Sequence, residues 1–258
     1  MRAVVALTKL NLAGSLRRQI HLATLLLALL LMGLPLYVHQ FSLGTNGFSR
    51  VSTDFGLTLM NFFAVGLAIF VTSSSIPREL ENRSVHTLLV RPVRRYQYIL
   101  SHFVANITIL GASLLLLGAA FTTALAFMTG KIDLSLLVAV YGFFLQGAVI
   151  TAVCLAISTK ASPALTGTAG AFVYLVGILP QAFIRFFLVE DRDSPFSAGL
   201  ARLLKSIVPD LSLFNLKDAV VHQLYYNPLY PVSMTLYAMA WVAVSVLIAT
   251  FLFGSRDL

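Results

Sequence analysis

Residues 134–157 read LSLLVAVYGFFLQGAVITAVCLAI. The stretch carries no Asp, Glu, Lys, Arg or Pro. At a rise of 1.5 Å per residue it is roughly 36 Å long as a helix, enough to cross a hydrocarbon core of ~30 Å. An apolar run of 18 or more residues without a charge reads as a membrane span.

Five similar runs flank it: Ile20–Val38, Phe55–Ile76, Phe103–Met128, Ala164–Leu188 and Val232–Phe253. The six spans together hold one formal charge, Arg185. Of 258 residues, 58% are hydrophobic and 11% charged, and mean hydropathy is +0.87. A soluble domain of this length needs more charge on its surface. Disorder is excluded by the same figures, and a disulfide scaffold by the single cysteine, Cys154. The expected fold is therefore all-α: one polytopic membrane domain, residues 1–258, with six transmembrane helices. The first run is too long for the h-region of a signal peptide, and no small-x-small site follows it.

An even number of spans places both termini on one side. Segments 1–19, 77–102, 158–163 and 254–258 hold eleven Lys or Arg against three acids, while the remaining segments hold seven of each sign. The whole net charge of +8 thus lies on one face, which the positive-inside rule makes cytoplasmic. The basic balance speaks of anionic headgroups, not of nucleic acid.

Residues 1–19 gather Thr8, Asn11, Ser15, Arg18 and Gln19 on one arc of a helical wheel. They read either as an interfacial amphipathic helix or as a plain lead-in to the first span. The loop His39–Asp54 reads as a simple connection, and Thr129–Asp133 and Ser158–Pro163 as tight turns. Outside, the segment 189–230 reads as two short helices. Leu200, Leu203, Leu204 and Ile207 form one stripe. Ser212 caps the next, where Leu213, Leu216, Val220 and Leu224 line one face and Lys217, Asp218 and Gln223 face away. Soluble caps, interfacial helices and a re-entrant pair all fit this pattern.

The segment 77–102, PRELENRSVHTLLVRPVRRYQYILSH, lies between the second and third spans. Arg78 to Val90 can form a helix with a polar front of Arg78, Glu79, Glu81, Asn82 and Arg83; His86 lies further along it. Arg91-Pro92 breaks that helix, and Arg94 and Arg95 stand where the third span enters the headgroups. A charged helix tied at both ends to spans is either a solvated loop or a mechanical device through which a cytosolic partner moves both spans.

Glu79, Glu81, Leu88, Leu89, Pro92 and Arg95, together with Val208–Asp218, resemble the permeases of type-2 ABC transporters, in particular those of multicopper-enzyme-maturation systems. The resemblance extends to the layout of spans, coupling segment and outer helices. It implies that Arg78, Glu79, Glu81, Asn82, Arg83, His86, Arg91, Arg94 and Arg95 dock on a separate ABC ATPase subunit, in two copies. That subunit would bind the ATP and magnesium, beside a second permease copy, in a bacterial cytoplasmic membrane. One departure is Ser101-His102, where such permeases commonly carry Gly-Lys, so the role of that lysine does not carry over.

No phosphate-cradling motif is present: the only Gly-Lys, Gly130-Lys131, lacks both the upstream glycine and the following Ser/Thr. This chain is expected to bind no nucleotide, metal or other cofactor, and not to be an enzyme by itself. No acid lies within a span, which argues against an ion-coupled carrier and leaves a facilitator open. Arg185 either snorkels to the outer interface or lines an outer gate with Pro180 and Gln181. Ala164, Gly167, Thr168, Gly170 and Ala171 form a small-residue stripe, serving either packing within the chain or a permease–permease contact. The expected function is ATP-driven export. The alternative is a mechanotransmitting subunit acting on a periplasmic or extracellular partner without transport. A lipid-modifying enzyme would need converging polar groups, and none are seen.

Overall fold

A computed structural model describes residues 8, 22, 24–31, 33, 47–77, 95–130, 135–178, 208–221 and 229–254. Residues 24–31 are helical (α1). The remaining helices are α2 (Gly47–Ser73), α3 (Arg95–Thr129), α4 (Ser135–Ser158), α5 (Pro163–Ile178), α6 (Lys217–Val221) and α7 (Tyr230–Gly254), with a 3₁₀ turn at Leu211–Phe214. No strand occurs among the described residues. Among the described residues, four helices are long and apolar enough to cross a membrane: Arg50–Pro77, Arg95–Phe127, Ser135–Ser158 and Tyr230–Gly254. The protein is an all-helical, polytopic membrane protein. The interfacial reading of residues 1–19 lies, Thr8 apart, outside the described residues.

The all-apolar helix read first is the centre of the bundle. Of its most apolar window, 72% is enclosed, against 22% for α7. In lipid no hydrophobic gain draws helices together, so close packing must do it, and small residues permit the closest approach. Ala139, Ala148, Ala152 and Cys154 are all buried on α4. Its neighbours α2 and α7 run parallel to it and α3 and α5 antiparallel. Gly118 and Gly111 of α3 meet Val140 and Phe144 in reverse order, while Met234 and Phe253 of α7 pack beside the early and late turns of α4. On α1, Ala28 and Leu31 face Leu57, Met60 and Ala64 of α2, and Leu25, Leu26, Leu29 and Leu30 remain exposed.

Helix ends differ from the apolar runs. α2 already begins at Gly47, so the last part of the predicted loop 39–54 is helix. α3 begins at Arg95, so residues 95–102 of the predicted coupling segment belong to the third helix. The reason is common to both. Helices end where backbone hydrogen bonds end, not where hydrophobicity does, and 35 residues of α3 span about 52 Å, well beyond the hydrocarbon core. The fifth helix is described to Ile178, the predicted remainder to Leu188 lying outside the described residues.

The links follow known capping rules. Gly130 takes φ +67° and donates to the Ala126 carbonyl at 2.9 Å, closing α3. Between α4 and α5, the amides of Lys160 and Ala161 donate to the Ile157 carbonyl. Ser162 then caps α5, with Pro163 in the first helical position.

Polar side chains inside the bundle mostly bond their own helix. The hydroxyls of Ser73 and Ser74 donate to the Phe70 carbonyl and Ser75 to Thr72. This serine run coincides with a break in α2, whose regular helix stops at Ser73 and turns at Ser74. Between helices, the Asn106 amide of α3 donates to the Thr72 hydroxyl of α2 at 3.3 Å.

Phe143 is fully buried on α4, whereas Phe251 on α7 is 79% exposed. Phe143→Ala is expected to lower thermal stability in detergent by an amount equivalent to about 2 kcal/mol or more, because the cavity cost survives even where the surrounding phase is apolar. Phe251→Ala should leave the melting temperature nearly unchanged. Equal shifts in a melting curve would contradict the placement of α4 at the centre.

Candidate functional site

The described polar features concentrate at the two ends of the bundle. One end carries Arg95, Lys160 and the last turn of α7, and is called here the basic end. The opposite end carries Asp54, Gly130 and Lys217.

At the opposite end, segment 208–221 enters the bundle. Leu211 and Phe214 are fully buried, against Leu145, Val149 and Met234 among others. Two glycines make room for it. A Cβ at Gly142 would overlap the Phe214 carbonyl oxygen, and one at Gly177 would lie 2.8 Å from Leu211 and 2.9 Å from the Pro209 carbonyl. Gly142 stands two turns into α4, so the segment reaches roughly 10 Å along that helix. Of the predicted outer segment 189–230, the described residues 208–221 are packed against the bundle helices.

The segment's main chain is satisfied by designated partners, as burial requires. The Asp210 carboxylate caps the 3₁₀ turn, accepting from the Ser212 amide at 3.1 Å and its hydroxyl at 2.6 Å. The predicted cap, Ser212, is thus itself capped, and at the start of α6 the Lys217 amide donates to the Asn215 side-chain oxygen at 3.3 Å. The Asp210 amide donates to the Tyr237 hydroxyl at 2.8 Å, and the Tyr230 hydroxyl donates to the Leu213 carbonyl at 2.8 Å. Both tyrosines belong to α7.

Lys217 does not face away from the bundle. Its ammonium lies 3.0 Å from the Asp54 carboxylate and donates to the Thr58 hydroxyl at 3.1 Å, tying α6 to α2. A charge beside low-dielectric helices finds a counter-charge when one is in reach. Leu216 and Val220 are buried as predicted, and Asp218 is exposed. Leu200, Leu203, Leu204, Ile207, Gln223 and Leu224 lie outside the described residues.

At the basic end, Arg95 grips α7. Its guanidinium donates to the carbonyl oxygens of Gly254 and, at 3.4 Å, Phe253. Those carbonyls end the helix and lack intrahelical donors, and a cation there also complements the helix dipole. One turn on, the Tyr98 ring stacks on Phe253 with centroids 5.3 Å apart, and meets His102 edge-on at 4.6 Å. Arg95 is the one described member of the predicted coupling set. Arg78, Glu79, Glu81, Asn82, Arg83, His86, Arg91 and Arg94 lie outside the described residues, as do Pro180, Gln181 and Arg185 of the predicted gate.

The small-residue stripe of α5 divides. Gly170 is buried, and a Cβ there would overlap the Cys154 sulfur and crowd Ile69. Ala164, Thr168 and Ala171 are exposed beside Leu165, Phe172 and Leu175, and Gly167 faces open space. So Gly170 serves packing within the chain, while the rest of the stripe faces outward.

Sequence reading passed over Gln146. Its side chain is fully enclosed one turn along α4 from Gly142, with neither amide atom hydrogen-bonded. Among the described residues no three His, Cys, Asp or Glu side chains gather as a metal site would need.

Gly142→Val is expected to push the Phe214 carbonyl aside and free segment 208–214, costing about 1–3 kcal/mol by overpacking. Increased proteolysis near Asn215 in the membrane-embedded protein would report it. Gly66→Ala, at a helical glycine with no neighbour within 4 Å of an added Cβ, is the neutral control.

No curated protein matches the chain. The model of the family described as ABC-2 family transporter protein matches residues 5–258. A bundle of apolar helices matched across nearly its whole length in this way is an integral membrane subunit of an ABC transporter, a class that works with an ATPase partner. The protein belongs to the ABC-2 transporter family.

Proposed function

We propose that the protein is the six-span permease of an ATP-driven exporter, its basic end in the cytoplasm of a bacterium. Two copies pair with two ATPase subunits, which bind all the ATP and magnesium, and this chain hydrolyses nothing. Closure of the ATPase pair presses on residues 78–94 and so moves the helices on either side. The cargo passes between the two permeases, whose contact includes the exposed α5 face of Ala164, Thr168 and Ala171.

The observation that carries this reading is the continuity of α3. A helix of 35 residues running without a break from Arg95 makes the far side of the charged segment rigidly continuous with the bundle. Force applied to residues 78–94 therefore arrives in the bundle instead of being lost in a loop. The basic surplus at that end supports its cytoplasmic placement.

A second reading gains support from the opposite end. Segment 208–221 is tied to α2 through Lys217 and to α7 through Tyr230 and Tyr237, so bundle movement also moves it. A partner outside the membrane could receive that movement with nothing crossing.

Glu81→Arg and Arg83→Glu are each expected to lower permease-stimulated ATP hydrolysis several-fold while the complex remains assembled. Unchanged hydrolysis and transport in both would remove residues 78–94 from the coupling contact. Vesicle transport assays beside capture of outer partners separate export from mechanical work.

A further inference from the structure

If motion enters at residues 78–95, it can reach segment 208–221 through α2, through α3 into α7, or through α4 and α5, on whose glycines Phe214 and Leu211 rest and which form the enclosed frame of the bundle. We propose that α7 is the transmission rod: Arg95 and Tyr98 hold its C-terminal end, and Tyr237 and Tyr230 hold segment 208–214 at its N-terminal end. The inference rests on the coupling reading above and names how that coupling crosses the membrane.

The grip at the basic end is on the main chain. Arg95 donates to the last carbonyls of α7, so its displacement acts on the helix itself, not on a rotatable side chain. The Tyr98 and Phe253 rings beneath it are both buried and stacked, which resists sliding at that contact.

The grip at the opposite end is also on main chain. Tyr237 takes the Asp210 amide and Tyr230 gives to the Leu213 carbonyl. The Phe214 ring lies 5.9 Å from that of Tyr237. Two bonds bracketing a 3₁₀ turn oblige the turn to follow the helix.

Between the grips, α7 is an unbroken helix of 25 residues, its Pro231 confined to the first turn. It is also the least enclosed of the long helices, with Leu236, Met239, Leu247 and Phe251 facing outward. A peripheral helix held at both ends can shift where α4, packed on all sides, cannot.

The α2 route is broken at its entry, where the helix turns at Ser74. At the other end α2 meets the segment through side chains alone: Val220 and Val221 are buried in one cluster with Leu57 and Met60, and Lys217 bonds Thr58 and pairs with Asp54, the two charged side chains being 23% and 44% exposed and so screened by water and salt.

The experiment uses the complex of permease and ATPase in lipid nanodiscs. Spin labels are placed at Asn215→Cys and Val51→Cys, two exposed positions at the opposite end, in a Cys154→Ala background. Pulsed electron-spin distances are measured without nucleotide and with ATP plus vanadate. The unmodified rod should show a nucleotide-dependent shift in the distance. Phe253→Leu, which removes the stack on Tyr98, and Tyr237→Phe should each lose most of that shift while ATP hydrolysis and assembly persist. A paired Asp54→Asn, Lys217→Met variant should keep it.

The rod is overturned if Phe253→Leu and Tyr237→Phe retain the full shift, or if the Asp54–Lys217 variant alone abolishes it. An assembled, hydrolysing complex with no shift at all also overturns it and leaves the coupling reading intact. A permease that never assembles with an ATPase sinks the coupling reading, and the rod with it.

Discussion

The structure depends on the packing of α4. Lipid offers helices no hydrophobic reward for meeting, so this bundle is held by dispersion contacts and by the space its small residues leave. Gly142, Ala148, Ala152 and Cys154 let neighbours approach on several sides of one helix. Every other described span takes its place by reference to that helix. The fully buried aromatic rings Phe121, Phe143 and Phe214 fill the remaining volume around it.

The same constraint explains how polar groups are treated. A free hydroxyl or amide is costly away from water. Serines and threonines therefore bond back to their own helix, as Thr58, Thr108 and Thr235 do to the carbonyls of Asp54, Val104 and Pro231. Bonds that leave a helix are few, and they mark places where elements are held together. Asn106–Thr72 joins α3 to α2, Tyr141–Thr235 joins α4 to α7, and the two tyrosine bonds hold segment 208–214. Gln146, Ser52 and Thr151, enclosed without such a bond, are exceptions, each costing about 1–3 kcal/mol.

Export and mechanical work on an outer partner share one structural requirement. Both need movement at the charged end to appear at the other. A continuous α3, a lipid-side α7 and a segment 208–214 bonded to α7 through its main chain are suited to that requirement. The enclosed α4 supplies the fixed frame against which they would move.

Much of this was readable beforehand. Apolar run length located the long helices, because a ~30 Å hydrocarbon core demands about twenty such residues wherever they occur. The fourth and sixth runs, 134–157 and 232–253, fall within a residue or two of α4 and α7. Glycine at 130 and Ser162-Pro163 marked true helix ends, since capping is chemistry between near neighbours. The starts of α2 and α3 were misplaced because backbone hydrogen bonding continues past the last apolar residue.

Residues meeting across the chain were not readable. That Asp210 caps its turn, that Lys217 reaches Asp54, that Arg95 closes the end of α7 and that Gly142 admits the Phe214 carbonyl leave no periodic trace. By itself the sequence determined the solvent of this protein, and hence its helices, since lipid tests each segment separately by length and polarity. Only the tertiary structure decided which helix stands at the centre, what enters the bundle and which ends are tied. Those depend on complementary shapes and partners far apart along the chain, which no local pattern encodes.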